Sequence, residues 1–184
     1  IFQYRFDENT GRLTPNSPAK VEPEEFLGPR HFCFHPSLDV LYFSNEQDCS
    51  VTGYRLNTST GTLSAFQTIT TLPEGYTERN TCSQIQVSAS GRFLYAPNRG
   101  HDSIACFTVD IATGQLTATG RVASEARPNA LCLGPEDKFI FSAGQDSGRM
   151  ASFNVNPDSG ELTPLETYPL GNSPAWISIT ELPG

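Results

Sequence analysis

Residues 107–117 read FTVDIATGQLT, and this pattern decides the fold. Phe107 and Val109 are apolar residues at alternate positions before a polar turn, and Leu116 follows the turn after Gly114. Alternation with a period of two is typical of a half-buried strand, and glycine readily adopts the positive φ of a tight turn. The segment is therefore predicted to be a β-hairpin.

The same hairpin pattern occurs four times along the 184 residues. In each copy a Thr or Ser precedes the turn glycine, a Leu follows it by two positions, and an aromatic residue stands seven positions before it. The turn glycines are Gly11, Gly61, Gly114 and Gly160, with separations of 50, 53 and 46 residues. Repetition at about 50 residues indicates an array of similar structural units.

Two further classes of strand precede the last three hairpins. Short apolar strands are predicted at 41–43, 93–95 and 139–141, and an earlier class is predicted at 31–34, 84–87, 130–133 and 176–179. Four strands per repeat and no helix signal predict an all-β fold, a β-propeller of four-stranded antiparallel blades. The predicted units are the end of one blade at 1–27, blades at 28–80, 81–126 and 127–173, and the inner strand of a closing blade at 174–184.

These units make about half of a ring. A half ring leaves two blade faces bare, and each repeat needs its neighbours to bury its core. We therefore expect the ring to be completed by more of the same polypeptide, by a partner chain, or by a second copy of this chain.

Composition excludes several functional classes. The chain carries 12 Lys and Arg against 20 Asp and Glu, a formal net charge of −8, which argues against binding to nucleic acid or to anionic membranes. No apolar run reaches the length of a membrane span. The five cysteines form no CxxC motif, so they are predicted to be buried free thiols in a reducing, cytoplasmic compartment. No motif for a metal or an organic cofactor is present.

Variation in length is confined to one connection of the repeat. From each turn glycine to the start of the next innermost strand the distances are 18, 21, 14 and 14 residues. In a propeller this connection runs along one face of the disc, and variable loops on one face of a repeat array mark the functional face.

The first residues of the innermost strands are predicted to meet at the mouth of the central channel. We expect His31, Arg79, Gln84 and Arg127 to act there as catalytic residues. Residues at equivalent strand starts are expected to contact the substrate: Arg30, Asn129 and Trp176. A single His or Arg is more often structural, but several cations around one opening in an acidic chain favour a small anionic substrate.

Other polar residues receive an ordinary structural interpretation. His35 precedes a proline in a turn, and His101 lies in a polar loop. Arg99 belongs to the same loop as His101, and it is expected at the end of its strand opposite to Gln84, or in a surface hairpin. No Ser-His-Asp spacing, phosphate loop or metal motif is present.

Three segments carry a resemblance to a known family. Residues 28–36 (GPRHFCFHP), 90–99 (SGRFLYAPNR) and 127–130 (RPNA) resemble signatures of the lactonase-type seven-bladed propellers. This family contains propeller-type 6-phosphogluconolactonases and fungal carboxy-cis,cis-muconate lactonising enzymes. The resemblance runs from about residue 4 to residue 179 and is closest to the C-terminal half of such a protein.

The resemblance also implies a set of site residues. In the muconate-lactonising members the site contains a His after Pro-Arg, an Arg in the next inter-blade loop, an acidic residue on the next inner strand and an Arg before the next Pro. His31, Arg79 and Arg127 match this pattern, whereas Gln84 replaces the acidic residue. A glutamine accepts no proton near neutral pH, so an acid–base role at this position is not supported.

Three functions follow as alternatives. The first is hydrolysis of an anionic sugar lactone, with 6-phosphogluconolactone as the natural candidate and His31 as the base. The second is lactonisation of a carboxymuconate, which the missing acidic residue disfavours. The third is a propeller that binds a ligand or partner without catalysis, because a fold alone does not establish chemistry.

Overall fold

The structure is a computed structural model, and it describes residues 1–180. It contains fourteen strands and one short 3-10 turn, Pro135–Asp137. The strands are β1 Phe2–Asp7, β2 Arg12–Lys20, β3 Pro29–Phe34, β4 Val40–Asn45, β5 Ser50–Asn57, β6 Thr62–Thr70, β7 Gln86–Val87, β8 Phe93–Asn98, β9 Ser103–Val109, β10 Leu116–Ala123, β11 Pro128–Leu133, β12 Phe139–Gly144, β13 Arg149–Val155 and β14 Leu162–Pro169.

The strands form four antiparallel sheets in which neighbours in sequence are neighbours in space. The first sheet contains β1 and β2, the second β3 to β6, the third β7 to β10 and the fourth β11 to β14. The short strand β7 contacts both β3 and β11, so the first strands of the three four-stranded sheets lie side by side. The all-β propeller architecture predicted from the sequence is confirmed.

The repeated tyrosine and the repeated turn glycine interact across successive sheets. Tyr42 of the second sheet donates its hydroxyl hydrogen bond to the carbonyl of Gly114 in the third sheet at 2.7 Å. Tyr95 of the third sheet donates in the same way to Gly160 of the fourth at 2.8 Å. Both glycines have φ near +70°, and a Cβ on Gly160 would collide with the Phe93 ring, so this turn requires glycine.

The apolar core lies between the sheets. One cluster joins the second and third sheets, and it includes Val40, Val51, Leu94 and Phe107. A second joins the third and fourth sheets, with fully buried residues such as Ile104, Leu131 and Ile140. A third covers one face of the second sheet, where Phe43 and Tyr54 pack with Ile1 and Val21, the residues that flank the two strands of the first sheet. Each sheet is therefore stabilised through burial against its neighbour.

The segment after β14 differs from the prediction. The expected closing strand at 176–179 is wrong, because residues 174–180 form no strand, and residues 181–184 of that predicted unit lie outside the described residues. A strand needs a neighbouring backbone to accept its hydrogen bonds, and no described residue pairs with this segment.

The five cysteines are free thiols, four of them buried and Cys33 half-buried. Burial raises the pKa of Cys106 to about 12, which makes this thiol inert. Within residues 1–180 there is no helix long and apolar enough to cross a membrane.

The tyrosine–glycine contact leads to a stability prediction. Replacing Tyr95→Phe removes a buried hydroxyl and leaves the Gly160 carbonyl without its donor, so we expect the free energy of unfolding to fall by about 1–2 kcal/mol. The matched control is Tyr54→Phe, since the Tyr54 hydroxyl is buried without a hydrogen-bond partner among the described residues. Urea unfolding should show that Tyr54→Phe is unchanged or more stable. Equal losses of unfolding free energy in both variants would contradict a stabilising hydrogen bond from Tyr95 to Gly160.

Candidate active site

A polar cavity of about 400 Å³ opens at the end of the molecule where the innermost strands begin. Its lining comprises Glu46, Arg79, Asn80, Thr81, Arg99, Gly100, Arg127 and Asp146. All of them lie in turns of the second, third and fourth sheets or in the connections that join these sheets. The cavity is thus built by three neighbouring repeats, and no single repeat could form it.

Antiparallel pairing explains why loop residues gather here. Strand β4 ends beside the start of β3, because Pro29 pairs with Asn45, and the same register joins Cys82 with Asn98 and Pro128 with Gly144. The turns that follow β4, β8 and β12 therefore lie at the same edge as the starts of the innermost strands. They contribute three charged side chains: Glu46, Arg99 and Asp146.

The loop that carries Arg79 is fixed by its neighbour Asn80. The Asn80 side chain accepts hydrogen bonds from the backbone N–H groups of Gly100 and His101 at 2.7 and 3.0 Å, and it donates to Asn98 at 2.9 Å. A Cβ on Gly100 would collide with the Arg79 carbonyl, so glycine permits the close approach of the two loops. Arg79 is therefore held at the cavity through its backbone while its side chain remains exposed.

One carboxylate is shared by two arginines at the side of the cavity. Glu46 accepts a hydrogen bond from Arg99 and lies 3.5 Å from Nε of Arg30. Arg99 also donates to the Asn129 side chain at 3.3 Å and to the carbonyl of Cys82 at 3.1 Å. Its side chain is only 10% exposed, so the Arg99 guanidinium is largely shielded from water.

The cluster has more donors and more positive charge than its protein groups neutralise. Arg79, Arg99 and Arg127 line the cavity and Arg30 lies beside it, and these four guanidinium groups stand against the carboxylates of Glu46, Asp146 and Asp102, the last of which accepts the backbone N–H of Arg127 at 2.8 Å. Arg127 approaches Asp146 only to 3.9 Å. Nη1 of Arg30 and Nε of Arg99 are buried without an acceptor among the described residues. An anion in the cavity would supply the missing negative charge.

His31 lies beside this cluster, on β3 next to Arg30. Burial lowers the pKa of its imidazole below the ordinary value, the positive charges of Arg30 and Arg99 lower it further, and Glu46 partly opposes them. The imidazole is consequently neutral near neutral pH, which is the form that accepts a proton. His31 does not line the cavity itself, but two of the three charged groups that act on it, Glu46 and Arg99, belong to the cavity lining.

Two residues expected at the site lie elsewhere. Gln84 is buried, and its Oε1 accepts a hydrogen bond from the backbone N–H of Leu131 at 2.6 Å, so it joins the third and fourth sheets. Gln86 makes the same bond to Leu133, which shows a repeated structural role for these amides. Trp176 is 66% exposed in the segment without secondary structure, away from the cavity lining.

The expectation that Arg99 lies at the opposite end of its strand from Gln84 is wrong. Strands β7 and β8 are antiparallel, so the residue after the end of β8 returns to the start of β7, and Arg99 stands at the centre of the charge cluster. The repeat itself indicates this position. Strands β4 and β8 both end in an asparagine, Asn45 and Asn98, and Glu46 and Arg99 are the residues that directly follow.

Comparison of the whole sequence with known proteins identifies the family. The family model described as "Lactonase, 7-bladed beta-propeller" matches residues 1–179. A 6-phosphogluconolactonase of Pectobacterium carotovorum subsp. carotovorum is 32% identical over 173 residues, 94% of this chain and 52% of the relative. A 6-phosphogluconolactonase of Yersinia enterocolitica is 31% identical over 169 residues, 92% of this chain and 51% of the relative. The chain spans about half the length of the curated relatives it matches.

Solved structures agree with this result. The periplasmic gluconolactonase of Pseudomonas aeruginosa superposes with a TM-score of 0.89 and 29% identity, covering 95% of this chain and 49% of that one. A protein from Lactobacillus plantarum superposes with a TM-score of 0.88 and 25% identity, covering 94% and 50%. Both likenesses extend over nearly all of this chain and about half of the other.

The charges around His31 predict opposite changes of its pKa in two variants. Glu46→Gln removes the negative charge that raises the His31 pKa, so we expect that pKa to fall further. Arg30→Gln removes a positive charge that lowers it, so we expect it to rise. NMR titration of the His31 imidazole measures both, with Glu161→Gln, outside the cavity, as the control. Shifts of the same sign in both variants would contradict this arrangement of charges around His31. A shift of the His31 pKa in the control would contradict it as well.

Proposed function

Because this chain belongs to the lactonase seven-bladed β-propeller family, we propose that the cavity is the active site of a lactone hydrolase. The substrate is an anionic sugar lactone, with 6-phosphogluconolactone as the candidate named by its relatives. The observation that carries the proposal is the surplus of guanidinium groups at one cavity in a chain whose net charge is −8. A phosphorylated substrate is the chemical class that such a surplus attracts.

The proposed reaction needs a base, a positioned water and a group that stabilises negative charge. Neutral His31 takes a proton from water as its oxygen attacks the lactone carbonyl carbon. The carbonyl oxygen becomes an oxyanion, which a guanidinium of the cluster stabilises. The ring C–O bond then breaks, and the imidazolium returns the proton to the leaving ring oxygen, which yields the hydroxy acid.

The arginines divide into two groups by their existing partners. Arg30 and Arg99 are held by Glu46, so their positions are fixed and suit the stabilisation of an oxyanion. Arg79 and Arg127 are exposed at the cavity, and the 3.9 Å ion pair of Arg127 with Asp146 is loose. We assign Arg79 and Arg127 to the phosphate or carboxylate of the substrate, with Asn129 supporting Arg99.

The same family membership supports a proposal for ring completion. The first sheet has two strands where the others have four, and the second sheet extends beyond it. Phe32 and Phe34 on β3 are 54% and 57% exposed, and Phe32 stacks on Phe43, which faces the first sheet. Two inner strands added to the first sheet would cover these rings. We assign those strands to further polypeptide that completes the seven-bladed ring.

Kinetics of protein containing residues 1–184 test the catalytic assignment. We expect His31→Ala to lower kcat for 6-phosphogluconolactone by about 10²- to 10⁴-fold, the contribution typical of a general base. Arg127→Ala is expected to raise KM by about 10- to 100-fold, the effect of one charged hydrogen bond, with a smaller change in kcat. The control is Arg12→Ala, an exposed arginine on β2 in the first sheet.

The outcomes separate the alternatives. Unchanged kinetics in both site variants would contradict the assignment of this cavity. Tight binding of a non-hydrolysable phosphosugar without any turnover would instead support a propeller that only binds its ligand. Rates that stay constant as the pH falls below 6.5, the ordinary imidazole value, would agree with the lowered His31 pKa.

Ring completion has its own test. The uncovered rings of Phe32 and Phe34 should make residues 1–184, expressed alone, associate or aggregate, which analytical ultracentrifugation detects against the 20.1 kDa monomer. The double variant Phe32→Ser, Phe34→Ser should associate less. The control Ile111→Ser removes an apolar residue that is 66% exposed in a turn. A stable monomer of the unchanged chain would contradict the proposal.

A further inference from the structure

Two cysteines from neighbouring sheets meet close to the polar cavity. Cys49 ends the turn between β4 and β5, and Cys82 lies at the start of the third sheet, where it bridges to Asn98 at the end of β8. One hydroxyl oxygen contacts both residues, because Oγ1 of Thr71 lies 3.2 Å from Sγ of Cys82 and 2.8 Å from the carbonyl oxygen of Cys49. The two thiol groups are also hydrogen-bond partners of each other. They therefore form a pair that joins the second and third sheets.

The same two positions meet again one repeat later. In the third sheet Asp102 takes the place of Cys49, since each is the last residue before the third strand of its sheet. The Asp102 carboxylate accepts a hydrogen bond at 2.8 Å from the backbone N–H of Arg127, the residue before the first strand of the fourth sheet. Contact between this turn and the start of the next sheet is thus a feature of the repeat. Between the second and third sheets the contact is made by two thiols.

The backbone at the turn position favours glycine over cysteine. Cys49 has a φ of 58°, and Gly148, the equivalent residue of the fourth sheet, has a φ of 67°. A residue with a Cβ is disfavoured in this left-handed region, whereas glycine adopts it without steric cost. Conformation alone does not account for a cysteine at this turn, and a role of its thiol would.

The pair contains one thiol that ionises readily and one that does not. The hydrogen bond with Cys82 is the main cause that lowers the pKa of Cys49; burial and Asp48 oppose it, and Asn80 and the positive charge of Arg99 add to the lowering. The hydrogen bond with Cys49, together with burial, raises the pKa of Cys82 well above its ordinary value. The thiolate is the nucleophilic form of cysteine, so Cys49 is the member that reacts first.

Cys49 lies just beneath the surface, whereas Cys82 is fully buried. The exposed fraction is 5% for Cys49 and 0% for Cys82, and the two residues before Cys49, Gln47 and Asp48, are exposed. A sulfur covered only by its own turn can be reached by a molecule of the size of hydrogen peroxide. A bulky oxidant such as oxidised glutathione has no comparable access.

We propose that Cys49 and Cys82 form a peroxide-reactive thiol pair that closes to a reversible disulfide between the second and third sheets. The Cys49 thiolate attacks one oxygen of hydrogen peroxide, so the O–O bond breaks and a sulfenic acid and a hydroxide ion form. This hydroxide takes up the proton that Cys49 released on ionising, which gives the first molecule of water. The disulfide forms in a second step.

In the second step the Cys82 sulfur attacks the Cys49 sulfur. The S–O bond of the sulfenic acid breaks, and the departing hydroxide takes the Cys82 proton to give the second molecule of water. The two sulfur atoms together lose two electrons, and these reduce one peroxide to two molecules of water. This chemistry stands independently of the proposed lactone hydrolysis, because it needs no lactone and uses none of the proposed catalytic side chains.

Counting thiols after brief treatment with hydrogen peroxide tests the pair. Protein containing residues 1–184 is treated at neutral pH, denatured and blocked with iodoacetamide. Two of the five thiols within these residues should be lost, and mass spectrometry should show a peptide that links Cys49 to Cys82. Dithiothreitol should restore all five thiols, because a disulfide is reduced by a dithiol whereas sulfinic and sulfonic acids are not.

Three variants separate the roles of the two thiols. Cys49→Gly suits the positive φ of the turn and should form neither the link nor a sulfenic acid. Cys82→Ser should form no link but should accumulate the sulfenic acid of Cys49, which dimedone labels. The matched control is Cys106→Ser, which removes a buried thiol whose pKa burial raises to about 12, and it should form the link as the unchanged protein does.

Several results would overturn the proposal. One is unchanged thiol content of the treated protein, and another is a link that joins any other pair of cysteines. Loss of Cys49 to dimedone in the unchanged protein without any link would exclude Cys82 as its partner. Faster labelling of Cys106 than of Cys49 in Cys82→Ser would show that Cys49 is not the reactive thiol.

Discussion

The structure depends on the burial of one sheet face against the next. Two of the described clusters of buried apolar residues combine residues of two sheets, and the third sets buried residues of the second sheet against the partly buried Ile1 and Val21 beside the first. The hydroxyls of Tyr42 and Tyr95 fix how successive sheets meet, since each finds its acceptor only at the turn glycine of the following repeat. The aromatic residue and the glycine recur regularly along the sequence because each repeat must make this contact with the next one.

This mode of packing also creates the functional end of the molecule. Because the sheets are arranged around an axis, loops that are more than 50 residues apart in sequence become neighbours. Arg79 and Arg127 belong to different repeats, yet they line one cavity. A chain with net charge −8 can therefore present a local positive site, since the position of a charge in the fold matters more than the total.

Positions at which the repeats differ in sequence give each interface between sheets its own contacts. The amides of Gln84 and Gln86 bridge neighbouring sheets, so polar residues on the innermost strands are not all available for chemistry. Phe66 packs over Gly53 at one interface, whereas Thr119 and Cys106 take the equivalent positions one repeat later. Repeat proteins tolerate such differences because each interface is stabilised by local contacts, and one interface can change while the others are kept.

The sequence by itself determined the class of fold, the strand order within each repeat and three of the residues at the arginine cluster. Periodicity was enough for this, because a half-buried strand has an apolar residue at every second position and each tight turn contains a glycine. It could not place Arg99, Gln84 or Trp176 correctly. Whether Arg99 meets Glu46 depends on the antiparallel return of β8, and whether Gln84 faces a cavity or a neighbouring backbone depends on the contact between two sheets. Trp176 forms part of a strand only where another strand pairs with it. Local pattern encodes conformation, whereas the direction and the partner of a polar side chain are decided only when distant segments are packed together.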